Sequence, residues 1–219
     1  VNGADEAFIF DGTSFDGLNI TFPAPMVSDT SQFSFVWAYK QRIYFVGKDS
    51  LSAWYLPVDS VGGSVVELPL GGVFNRGGVL LWGQTWSLSS GGDGGLSEQC
   101  TFCTTTGEVA IYQGMSPDSA ADWSKVGVYN IGAPMGKRAF VRAGGDLVVA
   151  TTIGFIPLSR AIDLDQAALG VAAVSNKIAD AWREAVTVRG NTDWVCELWG
   201  EGSMIVVAPP KPRSMESVV

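Results

Sequence analysis

A strand, a tight turn and a return strand recur along this chain, and that repetition limits the folds open to it. Thr101-Phe102-Cys103 reads as a strand and Thr104-Thr105-Thr106-Gly107 as a turn; residues 108–112, where polar and apolar residues alternate, read as the return strand. Alternation of this kind is the period of a half-buried strand, and Gly107 is free to take the positive φ that a turn requires. The loop Gly114-Met115-Ser116-Pro117-Asp118 then leads to a further strand over residues 123–131, with a large aromatic, Trp123, at its outer edge. Turns at Gly12, Asp49, Gly107, Gly154 and Gly202 each join two strands, at spacings of roughly 37 to 58 residues, the range of propeller blades. A β-sandwich is the alternative, but its strands recur more evenly. The longer period favours an all-β, β-propeller-like fold, partial or complete, built of four-stranded antiparallel blades.

The same reading places strands over residues 7–10, 13–15, 19–22, 33–39, 42–46, 51–58, 65–70 and 79–88. In 33–39 the alternation puts Phe33, Phe35 and Trp37 on one face. Later strands are expected over 139–142, 146–151, 155–158, 194–199 and 204–207. Between them the pattern changes to helical spacing. A short helix is expected within 164–174, and a longer one over 175–186, capped by Ser175 and packed through Ile178 and Trp182. The chain thus reads as one propeller-like domain over 1–219 with a helical insertion at 160–188. The last hairpin has no outer strands after it, which would leave edges exposed. The chain is therefore expected to be a fragment of a longer one, or to be held by neighbours.

Composition narrows the function classes. Lys and Arg total 14 against 22 Asp and Glu, a net charge of −8, so the basic footprint of a nucleic-acid binder is missing. Charged residues are only 16% and apolar residues 47%, which predicts that a partner covers part of the surface. No apolar run is long enough to span a bilayer, and no signal peptide is visible. The chain has three cysteines, an odd number, which predicts no disulfide framework and a reducing compartment. Cys100 and Cys103 form a CxxC but sit three apart in a strand, on opposite faces; with no His and one further Cys a zinc set cannot be completed. They read as packed free thiols.

Without histidine, neither a Ser-His-Asp nor a Cys-His arrangement can be built. Asp163 and Asp165 precede a predicted helix, where they favour its dipole, and Glu197 and Glu201 flank a turn. The Gly-rich stretch 91–95 lacks the ending of a phosphate loop. Asp11-Gly12-Thr13-Ser14-Phe15 is similar to the Asp-box of sialidases with the Gly one place early, but Arg42, Arg138, Arg142, Arg160 and Arg183 offer no recognisable arginine triad around a tyrosine. Trp54, Trp82 and Trp86, at strand positions, read as core rather than as sugar-stacking residues. No catalytic, cofactor-binding or metal-ligating residue is assigned, no cofactor is expected, and the chain reads as no enzyme.

Several runs carry a family resemblance. They are Asn2-Gly3 with Phe10-Asp11-Gly12-Thr13; Arg42-Ile43-Tyr44-Phe45-Val46; Ala53-Trp54-Tyr55-Leu56-Pro57; and Gly107-Glu108-Val109-Ala110-Ile111-Tyr112-Gln113-Gly114. Further runs are Val126-Gly127-Val128-Tyr129, Ile131-Gly132-Ala133-Pro134-Met135-Gly136-Lys137-Arg138, Gly145-Asp146-Leu147 and Ile156-Pro157-Leu158-Ser159. Over most of its length the chain resembles virion proteins of tailed bacteriophages and prophages, of the packaged-DNA stabilisation or tail-nozzle kind. The resemblance implies a structural role in the virion, assembled in the bacterial host cytoplasm, with no catalytic residues to carry over. The expected partners are further copies in a homo-oligomeric ring, other tail or neck proteins, and encapsidated DNA that passes without specific binding. Some of Asp11, Asp59, Asp93, Glu108, Asp118 and Asp146 are expected to line that passage. The alternative is a carbohydrate-binding or glycan-cleaving propeller in a receptor-binding tail part.

Overall fold

The computed structural model describes residues 1–24, 29–88, 97–143, 145–202 and 204–211, and the chain in it divides into two compact units. Strand dominates, in several sheets with antiparallel pairing, and the architecture is all-β with a few short helices. The turns expected at Gly12, Asp49, Gly107 and Gly202 fall between paired strands, and Gly154 opens β15 directly after the β14–β15 turn.

The first unit comprises residues 1–86, 98–105 and 109–128. Its strands in chain order are β1 (Phe8–Phe10), β2 (Phe15–Gly17), β3 (Ile20–Thr21), β4 (Phe33–Tyr39), β5 (Arg42–Gly47), β6 (Ser52–Tyr55), β7 (Gly63–Ser64) and β8 (Val66–Pro69). They continue with β9 (Leu80–Leu88), β10 (Ser97–Thr104), β11 (Glu108–Gln113) and β12 (Ser124–Asn130), the ends of which run into the second unit's residues. Two four-stranded sheets result, in the orders β4-β5-β6-β8 and β12-β11-β10-β9; β1 and β2 form a separate hairpin, and β3 pairs with β7 in parallel. Register sets the core. Trp37 lies opposite Tyr44, and Tyr44 opposite Tyr55, so three aromatics form a row across one face. Their ring centroids are 5.2 and 5.7 Å apart. The row packs with Phe102, Cys100, Ala110 and Tyr112 of the other sheet, and the Phe102 ring meets Trp37 edge-on at 5.6 Å.

Phe33, Phe35 and Trp37 do not share a face. Phe33 pairs with Gly47 but Phe35 with Val46, so Ser34 is an extra residue in β4. Such a bulge turns everything before it over. Phe33 therefore packs behind the sheet with Phe45, Trp54, Leu56 and Val65, stacked on Phe45 at 4.3 Å. Trp54, Trp82 and Trp86 are all buried, as core residues.

The second unit holds β13 (Phe140–Ala143), β14 (Asp146–Thr151) and β15 (Gly154–Pro157) in one sheet, and the hairpin β16 (Val195–Trp199) with β17 (Met204–Ala208). Three helices lie between: α1 (Leu158–Asp163), α2 (Gln166–Ala172) and α3 (Ala179–Arg189). The segment at 158–163, expected to open as strand, is helical from Leu158, which is itself fully buried. α3 starts later and ends later than the spacing suggests. Ser175 does not cap it; its Oγ accepts a bond from the Phe155 N–H at 2.9 Å. Trp182 is buried, its indole N–H donating to the Thr151 carbonyl at 3.0 Å, whereas Ile178 is 58% exposed and makes no core. Trp182 packs with Trp194, Phe155, Met135, Ala139 and Cys196.

Two substitutions check this packing. A Cβ on Gly83 would lie 2.3 Å from the Trp37 ring, so Gly83→Ala should lower stability by roughly 1–3 kcal/mol in chemical denaturation. Trp182→Ala should cost roughly 3–5 kcal/mol while Ile178→Ala stays within about 0.5 kcal/mol. Equal effects at 178 and 182 would refute the placement of α3.

Candidate functional site

The densest polar constellation among the described residues gathers around Arg42, at the start of β5. Its guanidinium lies 5.5 Å from the centroid of the Tyr55 ring, 3.2 Å from Ser116 Oγ and 3.7 Å from Asp118 Oδ2. The Tyr55 hydroxyl donates to the Asp118 carboxylate. Arg42 is largely buried while Asp118 is half exposed, so the pair is only partly screened by water. The Tyr39 hydroxyl donates to the Gly114 carbonyl at 2.8 Å, and the Asp122 carboxylate accepts the Met115 and Ser116 N–H groups at 3.0 and 2.9 Å. Gly114 is at φ +121°, where a Cβ would collide with the Asp122 carbonyl. These contacts fix the loop after β11 onto the aromatic row.

The chemistry this permits is limited. Burial pushes the phenol pKa values of Tyr39, Tyr44 and Tyr55 well up, and for Tyr55 the bond it donates to Asp118 adds to the effect. All three are neutral phenols at physiological pH, unsuited to nucleophilic attack. One arginine faces Tyr55, where a sialidase-like site requires three. Arg183 pairs instead with Asp180 on the surface of α3. The constellation therefore reads as a loop anchor. Tyr44 Oη and Arg42 Nε are buried there without a partner, polar atoms that a bound water would satisfy.

The remaining sequence candidates lie apart. Asp11 caps its own turn, accepting the Thr13 and Ser14 N–H groups at 2.7 and 2.8 Å, and these bonds hold its carboxyl below the usual range. Asp165 is the N-cap residue of α2, and Asp163 is the last residue of α1, three residues before α2 begins. Glu197 and Glu201 are exposed beside the β16–β17 turn. Of the carboxylates expected to line a passage, Asp11 and Asp59 are exposed and Asp118 is engaged by Arg42 and Tyr55. Glu108 is buried, so it is not one of the exposed members of that set. Asp146 accepts from the Ser159 hydroxyl at 2.6 Å. Asp93 and the 91–95 stretch lie outside the described residues. Among the described residues no group of three or more His, Cys, Asp or Glu is placed to hold a metal, and no helix is long and apolar enough to cross a membrane.

Both Arg42 and Tyr55 stand in runs that sequence reading singled out. Asp118 does not follow from it, because 63 residues separate it from Tyr55 and no local pattern joins them. Comparison with protein-family models, with curated proteins and with solved structures finds no match for this chain.

All three thiols are free and buried, and burial raises each pKa, that of Cys196 to about 12. The native protein should be inert to an aromatic disulfide reagent at neutral pH and release three equivalents once denatured. The sign of the pH effect follows. Unfolded thiols ionise near 9 and folded ones higher, so this contribution is intact below about pH 9 and is lost as pH rises toward 12. An alkaline unfolding series with flat stability across pH 9 to 11 would contradict it.

Proposed function

We propose that this chain is a structural, non-enzymatic component of a tailed-phage virion, a tail nozzle, hub or head-to-tail DNA-retaining part, with a partial or complete propeller as its fold. The observation that carries the reading is its surplus of exposed apolar surface on strand hairpins, Phe8, Phe10 and Phe15 on β1–β2 and Trp199, Met204 and Val206 on β16–β17. Large exposed apolar groups mark surfaces that a partner covers. Two four-stranded sheets whose strands run in chain order, the pattern of propeller blades, support the same reading. So do the quoted runs, since Gly107–Gly114 supplies β11 and 53–57 the buried end of β6.

A carbohydrate-binding reading has one residue in its favour. Of the eight Trp, Trp199 alone is exposed, at 51%, and could stack on a sugar ring. A glycan panel separates the two. Under the virion reading no glycan binds or is cleaved, and native mass measurement finds a ring of copies or a stable complex with tail proteins. Sugar binding lost in Trp199→Ala, with a monomer at every concentration, would replace it.

The net charge of −8 gives a further expected outcome. A passage for DNA must not hold it, and acidic surface repels phosphates over a Debye length of about 8 Å at physiological salt. No measurable duplex binding is expected in an anisotropy titration at that salt. Tight, salt-sensitive binding would overturn the passage.

A further inference from the structure

The β1–β2 hairpin carries an inference that stands whether or not the chain belongs to a virion. Phe8 and Phe10 alternate with Ile9, and Phe15 is the cross-strand partner of Phe10, so all three phenylalanines share one face. They are 60%, 54% and 73% exposed. Gly17 stands opposite Phe8 and leaves an open gap beside its ring. The Phe10 and Phe15 rings lie 4.7 Å apart. The ribbon is tied to the rest of its unit at its open end, and its turn is braced from within. Asp11 braces the turn, the Leu18 N–H donates to the Ala7 carbonyl at 2.8 Å, and the Ala7 N–H donates to Thr30 Oγ1 at 2.8 Å.

Beside Phe8 opens a depression of about 740 Å3 lined by Val1, Asn2, Ala4, Asp5, Glu6, Phe8, Asp29 and Ser31. Its charged side chains are three carboxylates. Asp11 and Asp16 add two exposed carboxylates on the hairpin itself, and Lys48, whose side chain lies beside Gly3, is a cation near the depression. The carboxylates of the depression and hairpin outnumber that cation, so the apolar face is bordered mainly by negative charge.

We propose that this face docks a basic, apolar segment of a partner protein, an extended stretch with Arg or Lys next to aliphatic or aromatic side chains. Apolar groups would lie on the three rings, cations would enter the acidic depression, and a guanidinium over an exposed Phe gains a cation–π contact. Charge complementarity decides the occupant. A second copy presenting the same face would bring acidic hairpins together, and an anionic lipid surface or nucleic acid would be repelled.

Fluorescence anisotropy tests the proposal with labelled synthetic peptides about eight residues long, longer than the three-residue strands so that one peptide can span the hairpin and the depression beside it. The probes are alternating Arg-Leu, alternating Glu-Leu and alternating Arg-Ser. The Arg-Leu peptide should bind, weaken as salt rises, and bind about tenfold more tightly than either control. Phe15→Ser and the pair Asp5→Asn with Glu6→Gln should each weaken it about tenfold at unchanged melting temperature. The two variants remove apolar and charged contacts separately, so one of them suffices should the other fail to fold. Equal binding of all three peptides, no binding of Arg-Leu at millimolar concentration, or full affinity in the variants overturns the proposal. A dimer by sedimentation that disappears in Phe15→Ser overturns it in favour of a second copy.

Discussion

The first unit depends on a ring lying against bare backbone. Trp37 approaches Gly83 so closely that no side chain fits between them, and this lets one four-stranded sheet settle on the other through the row Trp37, Tyr44, Tyr55. Close packing of this kind makes the core intolerant of added volume. The row does more than fill space. At its far end Tyr55 presents its ring to Arg42 and its hydroxyl to Asp118, and Tyr39 reaches the Gly114 carbonyl. One continuous set of contacts therefore runs from the contact of two sheets to the loop that follows β11. The loop inherits its position from the aromatic core, and its own bonds through Asp122 close it on itself.

The second unit solves a different problem, how to seat short helices with few apolar residues on a small sheet. α3 buries Trp182 but presents exposed Ile178 and Val188 at its flanks. A single large side chain then has to supply both area and direction. The Trp182 indole donates to the Thr151 carbonyl at the end of β14, Ser175 Oγ accepts the Phe155 N–H of β15, and the Trp194 indole donates to the Gly190 carbonyl just past α3. Each bond satisfies a backbone group where regular pairing stops, where an unmet buried group would cost about 1–3 kcal/mol. Amphipathic spacing alone would have pointed to a broader apolar stripe on α3 than the one it buries.

How much of this was legible in the sequence follows from the range of the interactions. Strand identity and the glycine turns were legible because alternation and positive φ are local; Gly107 takes φ +88° and Gly12 φ +101°. The β4–β5 turn was legible as the gap between the strands read over 33–39 and 42–46, but the positive φ of 45° and 59° at Lys40 and Gln41, which no glycine announces, was hidden. The Ser34 bulge was hidden too, since an inserted residue leaves the alternation of Phe33, Phe35 and Trp37 looking intact while reversing Phe33. The Arg42–Tyr55–Asp118 constellation needs three separate segments to meet, and only the fold brings them together. The CxxC shows the opposite case: the strand reading places Cys100 and Cys103 as packed thiols, and both are fully buried in β10 outside any disulfide.

The two separate hairpins raise the question of why their outer faces stay apolar. A two-stranded ribbon is marginal alone and needs anchoring. Both have it, β1–β2 through Ala7 and Leu18, and β16–β17 through the Cys196 N–H on the Arg138 carbonyl at 2.9 Å and the Trp194 N–H on the Met135 carbonyl at 2.9 Å. The outward Phe15, Trp199 and Met204 are exposed and so add little to the stability of the isolated chain. Exposed aromatics of this size carry a solubility cost, and polar residues at these positions would serve the hairpins equally well. Exposed side chains that the fold does not require are the ones that the proposed docking would use. The two ribbons also differ in kind. The depression beside β1–β2 is lined by three carboxylates, whereas β16–β17 is a two-stranded sheet that carries exposed Trp199, Met204 and Val206.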